Sequence, residues 1–343
     1  MPSSTSSSRQ RVPPLPAFRL WGLTALLALS ILGGAEAAWR SVGHLPTVTD
    51  DPALWAVERS RVYGEKVVVL LGASRIQLGL DPSEMERLLP DHTVLQLAID
   101  GSAPFATLRD LAEDPDFRGT VLVSVVPGGL RADRIESQQA WVKAYHDQKS
   151  PDAFLNRRLA SLAQERLTVL SPSLNLRRIL LSLLAGEGVP APFYLRTLAN
   201  RTREGDYRMI DLARYRMGRI ARVQQVYAQR GRVPFEAWRV AARTVAPWVK
   251  AIQERGGRVV FLRFPTQDQH WVLDQAYYPR AIYWDALAAE TGAETLHLSD
   301  VPALQRYRLP DTSHLDYRDK REFTRELVEA LQQGGLLAGG AEE

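Results

Sequence analysis

A serine becomes a strong nucleophile when an imidazole takes its proton and a carboxylate fixes the imidazole's tautomer. The 343-residue chain holds these three residue types in two short stretches. Ser74 stands in Gly72-Ala73-Ser74-Arg75, directly after the apolar run Lys66–Leu71. Asp311 and His314 stand three residues apart in Leu309-Pro310-Asp311-Thr312-Ser313-His314-Leu315, close enough for a carboxylate oxygen to meet the ring. Ser74 is the expected nucleophile, His314 its base and Asp311 the orienting acid. The backbone N–H groups of Ser74 and Gly101 are the expected oxyanion donors, because glycine lets the chain approach closely. Arg75, Asp100, Ser102 and His270 follow strand ends and are expected to touch substrate. Plainer roles stay open: Ser74 as a polar residue of a β–α turn, His314 as a helix cap, Asp311 as a turn former after Pro310. The chain has no cysteine, which excludes disulfide scaffolds, thiolate metal sites and cysteine nucleophiles. Asp268, His270 and Asp274 match no metal-ligand spacing, so neither metal nor cofactor is expected.

These residues need elements to position them. Lys66–Leu71 (KVVVLL) reads as a strand buried on both faces. Asp81-Pro82-Ser83-Glu84 offers an N-cap, a first-turn proline and an acid, with Met85, Leu88 and Leu89 as the apolar stripe of a helix. Thr93–Leu97 and Thr120–Val126 read as further strands, with a helix over Pro104–Ala112 between them. A long helical stretch is expected over about residues 131–254. Arg258–Phe264 and Glu294–Leu298 resume the strand pattern, with a helix over Tyr283–Glu290. Asp319–Leu331 closes the chain as a helix, Phe323, Leu327 and Leu331 sharing one side. Such alternation predicts an α/β fold, a parallel sheet covered on both faces. Ligands of such sheets sit at the carboxyl ends of the strands, where Ser74, Gly101 and His270 fall.

Gly72-Ala73-Ser74, Gly101 and Asp311-x-x-His314 together resemble three sequence blocks of the SGNH/GDSL hydrolase superfamily, in the right order. The likeness covers about residues 64–126 and 258–333. It implies a three-layer α/β/α flavodoxin-like fold, a five-stranded parallel sheet in the order 2-1-3-4-5 and a Ser-His-Asp triad. Within the superfamily, the amino-terminal apolar segment and the run LLGASRIQLGLDP look most like the membrane-attached branch that handles acyl groups on bacterial surface polysaccharides. The resemblance implies an acyltransferase or esterase acting on O-acyl, O-acetyl above all, groups of such a glycan. Its partners would be the acylated polysaccharide and a membrane protein that donates the acyl group. Two departures stand out. The superfamily places an oxyanion asparagine after the third strand, whereas here Val126 is followed by Pro127-Gly128-Gly129, leaving the backbone of Gly128 or Gly129 as a substitute. Ala73 also stands where the hydrolases carry aspartate. The missing asparagine leaves room for a rival reading, a non-catalytic scaffold or glycan-binding subunit of an export complex.

Residues 1–17 form the expected cytoplasmic tail and 18–39 an anchor or signal segment. Phe18–Trp39 is just long enough to cross a hydrocarbon core of about 30 Å. Arg9, Arg11 and Arg19, with no acid among them, place the N-terminus inside and the body outside the cytoplasmic membrane. Ala35-Glu36-Ala37 has the form of a signal-cleavage site, so a cleaved leader remains the alternative. Residues 40–63 are expected to be a stalk with a short helix around Ala53–Arg61. Residues 64–333 form the catalytic domain, its helical insertion at about 131–254 overhanging the site, and 334–343 a frayed tail. His44, His92 and His146 are expected to be solvated and His297 packed. Within the insertion, Arg196–Arg232 carries ten arginines against Glu204, Asp206 and Asp211. That tract is either a solvated helix face or a cationic surface for an anionic glycan or acidic lipid. Trp141, Trp238, Trp248, Trp271 and Trp284 are expected mainly in the core, with sugar stacking as the alternative. The 43 basic and 39 acidic residues leave only +4, which argues against a nucleic-acid partner.

Overall fold

A computed structural model describes residues 17–147 and 150–337. Residues 1–16 of the expected tail 1–17, and residues 338–343 of the expected tail 334–343, lie outside the described residues. Five parallel strands form the central sheet: β1 (Val67–Leu71), β2 (Thr93–Gln96), β3 (Thr120–Ser124), β6 (Arg258–Arg263) and β7 (Glu294–His297). A two-stranded antiparallel hairpin, β4 (Leu195–Thr197) and β5 (Arg203–Gly205), lies apart from it. The sheet order is β2-β1-β3-β6-β7. Counting the sheet strands alone, this is the expected 2-1-3-4-5, the hairpin having taken two numbers. The chain leaves β1 to one side and returns to the other as β3, so the order reverses at the end of β1.

The pleat explains why the first strand is apolar throughout. Val67, Val69 and Leu71 enter one core with Phe105, Leu108, Trp238, Val245 and Ile252. Val68 and Leu70 enter the other with Ile76, Met85, Phe323, Leu327 and Leu331. Alternate residues thus serve opposite faces, and a strand buried on both has no polar positions to spare. Asp81 caps the helix Pro82–Leu88 as its sequence requires, accepting from the N–H groups of Ser83 and Glu84. The helix Tyr317–Gln333 buries its Phe323–Leu327–Leu331 side.

Three expectations need correction. Residues 40–63 are no stalk. Trp55 is fully buried, its indole N–H donates to the Leu97 carbonyl at 2.9 Å, and Arg59 pairs with Asp110 at 2.6 Å and Asp114 at 2.9 Å. A helix of eight residues, Pro52–Arg59, therefore completes the layer over β2. Nor is the stretch 131–254 helical throughout. The hairpin sits inside it, its three-residue strands too short to show periodicity. The last helix, Phe235–Glu254, is the crossover from β3 to β6, burying Trp238, Ala242, Val245, Val249 and Ile252. Finally, residues 335–337 are not frayed but turn back to the core: the N–H groups of Leu336 and Leu337 bond the Leu331 carbonyl, and Leu337 is buried.

The amino-terminal helix Ala17–Ser41 is 25 residues long and buries none of them against the protein. It is long and apolar enough to span a membrane. Its last turns touch the body: Glu36 accepts from the N–H groups of Thr168 and Val169, and Arg40 donates to the Arg166 carbonyl.

Candidate active site

β1 ends at Leu71, and the chain then turns through Gly72 at φ +145°. A Cβ at Gly72 would lie 2.8 Å from that of Ser124, so the turn requires glycine. Ser74 opens the short helix Ser74–Gly79. A second turn, ahead of the carboxyl-terminal helix, brings Asp311 and His314 to the same place. His314 Nε2 lies 2.9 Å from Ser74 Oγ, and His314 Nδ1 lies 2.7 Å from Asp311 Oδ2. The three side chains, 240 residues apart at the widest, form one hydrogen-bonded line.

Asp311 is held from several sides. Its Oδ1 accepts from the N–H groups of Ser313 at 3.0 Å and His314 at 2.8 Å. Its Oδ2 accepts from the Tyr207 hydroxyl at 3.1 Å, and Arg219 Nε lies 3.5 Å away. Burial alone would raise its pKa, but the His314 imidazole, Arg219 and the backbone donors hold it well below the usual carboxylate range. Burial depresses the pKa of His314, Asp311 opposes that shift, and Arg219 and Arg75 add to it. The ring is therefore neutral at neutral pH, with Nδ1–H fixed by Asp311 and Nε2 free to accept from Ser74.

Thr312, inside the same turn, has φ +76°, a conformation a β-branched residue rarely adopts. Its carbonyl accepts from Gln267 N–H at 2.9 Å and its hydroxyl meets His270 Nδ1 at 3.1 Å, which pins the strained turn.

The expected oxyanion donors are the backbone N–H groups of Ser74 and Gly101. Gly101 has φ +69°, and its carbonyl accepts from Arg134 at 2.7 Å. Among the described residues the N–H groups of Ser74 and Gly101 have no intramolecular acceptor. Of the two backbone substitutes for the absent asparagine, Gly129 spends its N–H on the Val126 carbonyl at 2.8 Å, which leaves Gly128. A Cβ at Gly128 would sit 2.8 Å from the Tyr278 ring.

The residues expected to touch substrate divide into two pairs. Arg75 and His270 meet, Nη2 to Nε2, at 3.4 Å. Burial and the Arg75 charge hold His270 down to about 3, so its ring is neutral, accepting from Arg75 and donating to Thr312. Asp100 and Ser102 are engaged elsewhere. Asp100 pairs with Arg203 at 2.6 Å, while Ser102 donates to the Ile99 carbonyl and accepts from Gln138. Gln138 also reaches the Gly72 carbonyl at 3.4 Å, so Ser102 braces the turn from behind.

Two partners of Asp311, Tyr207 and Arg219, escaped the sequence reading. Arg219 lay in the arginine tract, and nothing in the sequence marked Tyr207. The tract divides: Arg208, Arg214, Arg222, Arg230 and Arg232 are exposed, while others are drawn into the fold. Arg201 is fully buried, bonding Asp50 and the carbonyls of Gln96 and Ala98, and Arg196 pairs with Glu204. Arg219 bonds Ser313 Oγ at 2.6 Å. One histidine expectation changes, since His44 is buried against the Pro190 carbonyl; His146 is exposed as expected, its Nε2 meeting Asp110 Oδ1 at 2.5 Å. His297 packs edge-on to Trp271 and Trp284.

Beside the triad lies a cavity of about 310 Å³. One wall is the insertion helix Leu212–Arg230, which presents Arg219, Val223 and Tyr227 to it; Arg75, His270 and the loop after β3 supply the others. Among the described residues no group of three histidine, aspartate or glutamate side chains is arranged to hold a metal ion.

No family model matches the chain, and no curated protein matches it. Among solved structures it is similar to TesA, at 13% identity and a TM-score of 0.35, over 79% of this chain and 99% of that one. It is also similar to the psychrotrophic esterase EstA from Pseudoalteromonas sp., at 9% identity and a TM-score of 0.34, over 79% of this chain and 98% of that one.

Proposed function

We propose that the protein is a membrane-anchored serine esterase or O-acyltransferase of the SGNH type, acting on O-acyl groups of a surface polysaccharide. One observation carries the reading: His314 bridges Ser74 and Asp311 through its two ring nitrogens, at 2.9 and 2.7 Å. Ser74 Oγ attacks the ester carbonyl carbon while His314 Nε2 takes its proton, and Asp311 stabilises the imidazolium that forms. The developing oxyanion is met by the N–H groups of Ser74 and Gly101, with Gly128 as third donor in place of the asparagine. Collapse breaks the ester C–O bond, and the leaving alkoxide takes the proton from His314. A sugar hydroxyl (transfer) or water (hydrolysis) then attacks the acyl-serine by the same steps in reverse. No cofactor takes part.

The apolar helix would anchor the body on the outer side of the cytoplasmic membrane, within reach of a membrane-embedded acyl donor. The contacts of Glu36 with Thr168 and Val169 favour an uncleaved helix, since cleavage near Ala37 would discard them. The loop Val126-Pro127-Gly128, without its asparagine, favours a second reading as a non-catalytic glycan-binding subunit. A fluorophosphonate probe applied to the full chain in detergent separates the two. Labelling that disappears in Ser74→Ala is the expected result. A wild-type chain left unlabelled would refute catalysis and leave the binding subunit.

A further inference from the structure

The cavity beside Ser74 carries more positive charge than its surroundings balance. Arg75, Arg131, Arg134, Arg219, Arg222 and Arg230 line it, and no aspartate or glutamate does. Arg131 is paired with Asp133 at 3.0 Å, and Arg219 lies near Asp311 at 3.5 Å. Among the described residues, Arg75, Arg134, Arg222 and Arg230 have no carboxylate within ion-pair distance. Arg75 also keeps a buried Nη1 with no hydrogen-bond partner. A buried guanidinium donor left unmatched costs free energy that a bound anion returns. Like charges crowd here too: Arg230 acts with burial to depress Arg134, and burial lowers Arg75 to about 10, where it is still protonated at neutral pH.

From this we infer that the cavity is an acidic-sugar subsite, taking the carboxylate, phosphate or sulfate group of a glycan whose acylated hydroxyl lies at Ser74. Guanidinium forks match the oxygens of such groups in pairs. The walls between the arginines, Val223, Tyr227 and Tyr278 among them, are apolar and suit the C–H faces of a sugar ring. A volume of about 310 Å³ holds a sugar unit rather than a protein segment. Arg219 ties the subsite to the triad, lining the cavity while bonding Ser313 at 2.6 Å. The inference rests on the esterase or acyltransferase reading for what the sugar is held for, but binding itself needs no turnover.

The test is isothermal titration of the full-length Ser74→Ala protein in detergent. The probes are trigalacturonate, glucose 6-phosphate, a sulfated monosaccharide, neutral maltotriose and phosphatidylglycerol vesicles. At least one acidic sugar binds ten or more times tighter than maltotriose, and added salt weakens it. Arg222→Gln and Arg230→Gln each lower its affinity about tenfold or more, a charged hydrogen bond being lost, while Arg222→Lys recovers part of the loss. Equal binding of acidic and neutral sugars overturns the inference. So does acidic-sugar binding that neither glutamine variant weakens, or an anion response confined to the vesicles. A wild-type chain labelled by fluorophosphonate that binds no acidic sugar refutes the subsite alone. Acidic-sugar binding without labelling supports the subsite and refutes catalysis.

Discussion

Replacing Asp311 by asparagine separates the orienting charge from the fold. Oδ1 of Asp311 accepts two backbone N–H groups, from Ser313 at 3.0 Å and His314 at 2.8 Å. In Asp311→Asn the amide oxygen must keep that position, which turns the NH₂ group toward His314 Nδ1. Two donors cannot share one hydrogen bond, so the ring proton moves to Nε2, the nitrogen that faces Ser74 at 2.9 Å. The imidazole then presents a proton to the hydroxyl instead of a lone pair. The charge is lost as well. Unit charges at the Asp311–His314 separation of 2.7 Å attract by about 6 kcal/mol at an effective dielectric constant of about 20. At about 1.4 kcal/mol per decade, that is roughly four decades of rate. The amide dipole returns part of it, so acylation is expected to fall about 1,000- to 10,000-fold. The rate of fluorophosphonate labelling and the kcat/KM for p-nitrophenyl acetate both read this step. The conserved backbone bonds predict an unchanged circular dichroism spectrum. A loss smaller than tenfold in a folded variant would refute the assigned role of Asp311.

The pH dependence follows from the depressed pKa of His314. Only the neutral ring accepts the serine proton, so kcat/KM rises with pH as His314 deprotonates, with a midpoint below the ordinary 6.5; a midpoint at or above 6.5 contradicts the burial argument. Gly72→Ala drives a methyl group against Ser124 and is expected to destabilise the protein by about 1–3 kcal/mol in urea denaturation; no change would mean the turn after β1 has room to spare. Trp55→Ala should cost about 3–5 kcal/mol, because the ring is fully buried. A stalk residue would cost almost nothing, and that outcome would detach residues 40–63 from the core.

The sequence by itself determined the alternation of strands and helices, and with it a parallel sheet. Uninterrupted β-branched and Leu residues at 67–71 suit a strand buried on both sides, and Phe323, Leu327 and Leu331 recur at the four-residue spacing that lines one side of a helix. It also marked Ser74, Asp311 and His314, because nucleophile, base and acid must sit at strand ends and turns. The packing of residues 40–63 was not legible there, since one tryptophan and a short helix carry too little period to separate a stalk from a core layer. Nor were the partners of Asp311. Tyr207 and Arg219 reach it from an insertion about a hundred residues distant, and nothing local to either side chain records that approach. The arginine tract shows the same division. Charge spacing along a chain cannot tell a solvated face from a buried ion pair, because the difference lies in which carboxylates the fold brings near. Tertiary structure gave Arg201 and Arg203 their aspartates and left Arg222 and Arg230 facing the cavity without one.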